Sequence, residues 1–276
     1  MPELPEVETI KKDLLPHVVG RTIANVALPD SKVVHILSPE EFVSRILGRT
    51  ILDVRRRGKY LIFPLSDGET LMIHLRMTGV LLLLSTSGEA ERYTRAVFHL
   101  NDGDELHFCD RRRLGILRVV KNEKDVVSKL GPEPLDETFT SDRLAAILMH
   151  RDAPIKALLC DQNVIAGIGN MYADETLFAA RVHPMSKGTA LSSDEVFRLY
   201  GTIREVLEAA IGNNGASVDT YRRPDGMHGT AHYSFRVAHR GGKPCPGCGT
   251  AIQRIVVRGR GTYYCPVCQG AHVTTT

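Results

Sequence analysis

The sequence has 276 residues, enough for two or three domains at roughly 100–150 residues each, with the apolar and charged fractions of an ordinary globular protein. No stretch holds the ~20 uninterrupted apolar residues of a membrane span, and the acidic first turn lacks the apolar core of a secretory signal, so no membrane is expected and a cytoplasmic protein is. Net charge is only +3, but the cations cluster: Arg55–Arg57 with Lys59, Arg111–Arg113, and a tail that has no acidic residue beyond Asp225, a distribution that attracts phosphate.

In chain order, Val7, Ile10 and Leu14 recur on one helical face, which predicts a helix over residues 6–15. Pro5 and Glu6 suit its first turn, and Pro16 is expected to end or kink it. From about Thr22 to Val120 the pattern is mostly β. Strands are expected at Ile51–Val54, Tyr60–Leu65, Leu71–Met77, Val80–Leu84, Ala96–Leu100 and Glu105–Cys109, with a hairpin turn at Asn101–Asp104. Short strands with regular turns suggest a sandwich or barrel. In this reading Met77 shares a strand face with Ile73 and Leu75, which periodicity alone would make core.

Gly131-Pro132-Glu133-Pro134 reads as a linker. Helices follow at Pro154–Cys160 and Met171–Ala180, joined by Val164–Gly169, with Asn170 placed to cap the second. That helix end also offers free amides to a phosphate. Ser192–Glu195 is a capping box, and Val196, Leu199, Ile203, Val206 and Ala210 form the stripe of the helix it opens.

Cys245-Pro-Gly-Cys248 and Cys265-Pro-Val-Cys268 are sixteen residues apart, the spacing of a four-thiolate zinc site holding one structural Zn2+. Two disulfides would need an oxidising compartment that nothing in the sequence suggests. Between the pairs, Ile252–Val257 and Thr262–Tyr264 read as a hairpin tipped by Arg258-Gly259-Arg260-Gly261. Cys109 and Cys160 read as ordinary core thiols.

At the amino terminus, removal of Met1 leaves Pro2 as a secondary amine. An α-amino group has a pKa of roughly 7.7–8.0, so a useful fraction is neutral near pH 7 and able to attack a carbonyl-like carbon. Glu3 stands beside it as an acid or base.

Together these pieces resemble the formamidopyrimidine-DNA glycosylase family. The likeness is carried by Met-Pro-Glu-Leu-Pro-Glu-Val-Glu at the start, Arg57-Gly58-Lys59-Tyr60-Leu61, and His74-Leu75-Arg76-Met77-Thr78-Gly79. It continues through Ile155-Lys156-Ala157-Leu158-Leu159, Gly167–Glu175, and Gly259-Arg260-Gly261-Thr262 before Cys265. It runs in order from the first residue to Gln269.

The resemblance implies an α+β protein of three parts: an N-terminal catalytic β-sandwich with its helix (1–134), a helix–two-turn–helix domain (135–240) and a zinc-ribbon hairpin (241–276), with damaged double-stranded DNA bound between them by a monomer. It implies that Pro2 attacks C1′ of the damaged nucleotide, that Glu3 donates a proton to the sugar, that Lys59 assists β-elimination, and that Arg260 holds phosphate and assists δ-elimination. Asn170 would grip the backbone, Met77, Arg112 and Leu114 would fill the gap left by the flipped base, and Tyr93 and Arg151 would contact DNA. The sequence departs from the family at Leu114, where a phenylalanine is usual, at Tyr93, where a histidine is expected, and at Ala238-His239, where an aromatic residue commonly precedes the ribbon. Ser217–Phe235 matches the loop over the flipped base. A sister branch, the endonuclease VIII-like glycosylases, prefers oxidised pyrimidines; Leu4 and Val7-Glu8 favour the purine branch. A non-catalytic zinc-ribbon DNA-binding protein would need none of Pro2, Glu3 and Lys59.

Overall fold

A computed structural model describes residues 1–85 and 91–270. Residues 271–276, which the sequence reading counts with the zinc ribbon, lie outside the described residues. The chain forms two compact units, one of Met1–Lys129 with Ile211–His232, the other of Leu130–Ala210 with Tyr233–Thr276.

The first unit begins with helix α1 (Leu4–Val18), which is longer than periodicity predicts: Pro16 is accommodated inside it rather than ending it. Val7, Ile10, Leu14 and Val18 bury its apolar stripe. Then follow strand β1 (Ile23–Ala27), helix α2 (Pro39–Ile46), and strands β2 (Arg55–Arg57), β3 (Tyr60–Pro64), β4 (Thr70–His74), β5 (Gly79–Ser85), β6 (Thr94–Leu100), β7 (Asp104–Asp110) and β8 (Ile116–Val120). They make two antiparallel four-stranded sheets, ordered β1-β6-β7-β5 and β2-β3-β4-β8. Alternate residues of both sheets, among them Leu61, Phe63, Ile73 and Leu117 from one and Leu81, Phe98, Leu106 and Phe108 from the other, meet in a single core, as a sandwich requires.

Three expectations need correction. Ile51–Val54 is not a strand; Ile51 makes only an isolated bridge to Leu65, and pairing starts at Arg55. The strand expected to reach Met77 stops at His74, and Leu75–Thr78 turn the chain into β5, so Met77 is exposed rather than core. Helix α2 interrupts the region expected to be mostly β; its signal was Ser38-Pro39-Glu40-Glu41, where the Ser38 hydroxyl accepts from the Glu41 N–H at 3.2 Å.

A short helix α3 (Lys124–Val127) closes the unit's first segment. The second unit holds helices α4 (Ser141–Leu148), α5 (Ile155–Cys160) and α6 (Asn170–Ala180), most of α7 (Ser193–Gly212), and the hairpin of β9 (Gln253–Val257) and β10 (Arg260–Tyr264). Ser192 and Glu195 exchange the two bonds of a capping box at the start of α7. Its buried stripe uses Leu207 rather than the expected Val206.

Candidate functional site

In the first unit the amino terminus is fixed rather than frayed. Glu3 caps α1, and its backbone N–H donates to Glu6 Oε2 at 2.7 Å. The other Glu6 oxygen, Oε1, accepts from the Ala216 N–H at 2.8 Å. Pro2 is buried, and Glu3 and Glu6 are 1% and 0% exposed. Terminal residues are usually loose unless tied down, so this is a built arrangement.

Lys59 sits in the two-residue turn between β2 and β3, where Gly58 takes the positive φ of 57° that a tight hairpin needs. It is 5% exposed. His74 lies across the sheet, opposite Tyr60, with the two rings edge to face at 4.6 Å. Burial, then the charges of Arg76 and Lys59, push the His74 pKa down to about 3. Its Nδ1 accepts from the Arg76 N–H at 3.0 Å, which leaves a neutral ring carrying its proton on Nε2. His74 lies in one of the motifs that carry the family likeness, and sequence reasoning gives it no role of its own.

Met77, Arg112 and Leu114 are brought together by a residue that sequence reasoning missed. Asp110, at the end of β7, is fully buried. One carboxylate oxygen accepts from the Thr78 hydroxyl and the Arg112 N–H, and the other from the N–H groups of Leu114, at 2.8 Å, and Gly115, at 2.7 Å. Thr78 adjoins Met77, so one side chain sets the backbone beneath all three. Arg113 takes a left-handed φ of 57° within the same turn, and a Cβ on Gly115 would meet the Phe108 ring at 2.3 Å. Met77 and Leu114 are exposed, so this rigid base presents two large apolar side chains to solvent. The only prior signal was an aspartate directly before three arginines.

Tyr93 also has a positive φ, 67°, and is exposed, with the Arg92 and Arg95 guanidinium groups 4.7 and 5.8 Å from its ring. Its carbonyl accepts from the Asp110 N–H, and both residues line a cavity of about 240 Å³ with Thr78, Cys109 and Arg222.

In the second unit Asn170 is the first residue of α6, not its cap; Gly169 occupies that position. The Asn170 Nδ2 donates instead to the Gly261 carbonyl at 2.8 Å, tying the helix to the hairpin beside Arg260, and Oδ1 is buried without a partner. Beneath it Lys156, fully buried, donates to Asp174 and, at 2.6 Å, to the Asn170 carbonyl. Burial pushes the Asp174 carboxyl up to about 7 against the pull of Lys156. Glu175 accepts from the N–H groups of Arg236, Val237 and Ala238. The hairpin turn is Arg258-Gly259, both at positive φ, so Arg260 opens β10 rather than crowning the tip; both arginines are exposed. They line a cavity of about 350 Å³ with Cys160 and Gln162. Arg151 is exposed in the loop between α4 and α5.

The thiol sulfurs of Cys245, Cys248, Cys265 and Cys268 lie within 4.8 Å of one another. Two of their separations are 3.8 and 3.4 Å, and none of the four forms a disulfide. A tetrahedron with zinc–sulfur bonds of about 2.3 Å has edges of about 3.8 Å, so the cluster fits that ion. Among the described residues no helix is long and apolar enough to cross a membrane.

Residues 1–117 match the formamidopyrimidine-DNA glycosylase N-terminal domain, residues 130–222 the H2TH domain of the same enzymes, and residues 242–270 a zinc finger found in these glycosylases and in isoleucyl-tRNA synthetases. The chain is 44% identical over 273 residues to the formamidopyrimidine-DNA glycosylase of Chloroflexus aurantiacus, covering 98% of each, and 41% identical to that of Symbiobacterium thermophilum, covering 98% of this chain and 89% of the other. It superposes on the crystal structure of the MutM (Fpg) protein of Thermus thermophilus with a TM-score of 0.89 at 41% identity, over 98% of this chain and 99% of that one. A Lactococcus lactis Fpg mutant in complex with Fapy-dG-containing DNA gives 0.92 at 33% identity, over 98% and 100%.

Proposed function

The chain belongs to the formamidopyrimidine-DNA glycosylase family, and on that premise we propose that it excises oxidised purines, 8-oxoguanine and formamidopyrimidines, from duplex DNA through a Schiff base on Pro2 and then cleaves the strand by β,δ-elimination. The observation that carries this reading is the fixed amino terminus: a buried Pro2 next to a buried Glu3 whose backbone N–H is held by Glu6.

With Met1 removed, the Pro2 amine attacks C1′, the damaged base leaves, and an iminium joins protein and sugar. Glu3 supplies the proton to the sugar ring. Lys59 assists loss of the 3′ phosphate, and Arg260 grips the phosphate with a planar fork and assists the second elimination. Asn170 and Arg151 hold the backbone, and Tyr93 lies against the strand. Met77, Arg112 and Leu114 enter the stack as the base leaves it, which offsets part of the cost of flipping. One structural zinc, held by Cys245, Cys248, Cys265 and Cys268, keeps the hairpin that presents Arg260 in shape. The functional parts are 1–134, 135–240 and 241–276, and the protein acts as a monomer in the cytoplasm, on the nucleoid.

Borohydride reduction in the presence of an 8-oxoguanine duplex should trap wild type on the DNA, with the adduct at residue 2 by mass spectrometry. An adduct on Lys59, or none, overturns the assignment of the nucleophile.

A further inference from the structure

After α7 the chain belongs again to the first unit and forms a loop that is pinned along its length. Its two arms are joined by a bridge between Ala216 and Thr230 and by the Gly229 N–H, which donates to the Ser217 hydroxyl at 2.9 Å. Tyr221 is buried in the sandwich core, and its hydroxyl donates to the Asn214 carbonyl at 3.1 Å. The tip is a closed turn: the Arg223 N–H donates to the Met227 carbonyl at 2.8 Å, and Gly226 takes a φ of 82°. The Pro224 carbonyl accepts from the Leu83 N–H of β5 at 2.9 Å.

Helix α1 holds this loop at two points. Glu6 accepts from the Ala216 N–H near its start. Asp13 takes Arg223 in a bidentate pair, Nε to Oδ2 at 2.8 Å and Nη2 to Oδ1 at 3.1 Å. Glu6 and Asp13 are seven residues apart, two helical turns, so they share a face and stand about 10 Å apart along the axis. Ala216 and Arg223 are likewise seven residues apart. Tyr221 lies against the same face: burial, then the charge of Glu6, raise its phenol above the ordinary range, and Thr9 and Asp13 act on it too. The side chains of Arg223 and Asp13 are only 21% and 22% exposed, and a planar fork on a carboxylate fixes direction as well as distance.

The loop reaches two parts of the site. The Glu6 that receives Ala216 also holds the Glu3 N–H, beside Pro2. Farther along, Asp219, Thr220 and Arg222 line the cavity of about 240 Å³ together with Thr78, Tyr93 and Asp110.

We propose that Asp13 and Arg223 are positioning residues for excision: the pair clamps the loop tip to the helix that carries the nucleophile, and so sets the loop for the damaged base before the base arrives. The inference rests on the reading of this chain as a DNA glycosylase. Both residues act through the loop rather than on the reacting atoms, and Asp13 lies outside the motifs that carry the family likeness. A preformed loop does not have to be ordered at the expense of binding energy when the base is captured. Once the base has gone, the abasic sugar leaves the loop nothing to hold, so the clamp bears on base release and not on strand cleavage.

The test is single-turnover kinetics with full-length zinc-loaded protein on two duplexes, one containing 8-oxoguanine and one a preformed abasic site. Arg223→Gln and Asp13→Ala should each release the base about tenfold more slowly and cut the abasic duplex at the wild-type rate. The double variant should be no slower than either single one, because the two side chains act as one contact. Arg45→Gln breaks a comparable bidentate pair, with Glu69, elsewhere in the same unit and should leave both rates unchanged. Amide exchange in the DNA-free protein should quicken across residues 216–230 in the two clamp variants and not in Arg45→Gln. Base release at the wild-type rate in both clamp variants, equal falls on the two duplexes, or additive losses in the double variant overturn the clamp. Wild-type protein that releases no base overturns the proposed function instead. Exchange at 216–230 then decides the clamp by itself, and wild-type exchange in Arg223→Gln overturns it.

Discussion

Two regions present exposed side chains on rigid supports, by opposite means. In the first unit the loop bearing Arg112 and Leu114 rests on Asp110, a carboxylate accepting from a hydroxyl and three backbone N–H groups above a core drawn from two sheets. In the second unit the hairpin bearing Arg260 has, among the described residues, a small buried cluster beneath it, Phe178, Val237, Cys245, Ile252 and Cys265, two of which are metal-ligand candidates. A large core can spend one polar residue on shaping a loop, whereas about thirty residues of ribbon cannot bury enough apolar area to hold themselves together and need a metal. The difference predicts how each region fails.

The largest effect is expected at the ribbon. Zinc binding contributes roughly 10–16 kcal/mol in comparable small domains. Chelation, or Cys265→Ser, should therefore unfold the hairpin and abolish duplex binding while the sandwich keeps its own melting transition. One shared transition, lost at once, would break the contrast between the regions.

Next comes the pair beneath Asn170. Lys156→Met strands Asp174 in the interior, which should cost about 3–5 kcal/mol of unfolding free energy in denaturant melts. Lys156→Met with Asp174→Leu should recover most of it. A double variant as unstable as the single one would mean that the Lys156 bond to the Asn170 carbonyl, not the ion pair, holds this corner.

Asp110→Ala leaves the Thr78 hydroxyl and the N–H groups of Leu114 and Gly115 without their acceptor, and the Arg112 N–H with the Thr78 hydroxyl alone, a cost of about 3 kcal/mol. The sandwich should still fold, with excision falling on the order of 100-fold as the loop loses its position. Single-turnover kinetics with a parallel melt would check this, and excision at the wild-type rate would show that the loop is shaped by something other than Asp110.

The smallest effect sharpens the comparison by pH. His74 is neutral in the folded protein down to about 3, whereas an unfolded histidine takes up a proton near 6.5. Between those values the unfolded chain holds the extra proton, so stability is complete above about 6.5 and falls with decreasing pH, by up to about 1.4 kcal/mol per unit. His74→Gln should flatten that slope for the sandwich transition and leave the ribbon's untouched. An identical acid profile in the variant would count against a neutral buried ring.

Much of this was legible in the sequence because it depends on local chemistry. The cysteine spacing and the capping box at Ser192 are each fixed by a few neighbouring residues. What was missed depends on the partner strand or on distant chain. Nothing near Asp110 reveals that Thr78 lies above it, thirty-two positions earlier. Met77 followed the period-2 pattern of β4 past the point where pairing stops, because alternation does not mark where a strand ends. The residue type of Asn170 suggests a cap, while its side chain goes to Gly261, ninety-one residues on.

Glu6 carries a consequence for how the protein is made. Its Oε1 bond to the Ala216 N–H spans 210 positions, while Oε2 holds the first turn that contains Glu3. A ribosome delivers the amino terminus first, yet that terminus cannot be seated until residue 216 has emerged, when more than three-quarters of the chain exists. The earliest residues to be synthesised are among the last to reach their final place, and the growing chain has no assembled amino-terminal site until it is nearly whole.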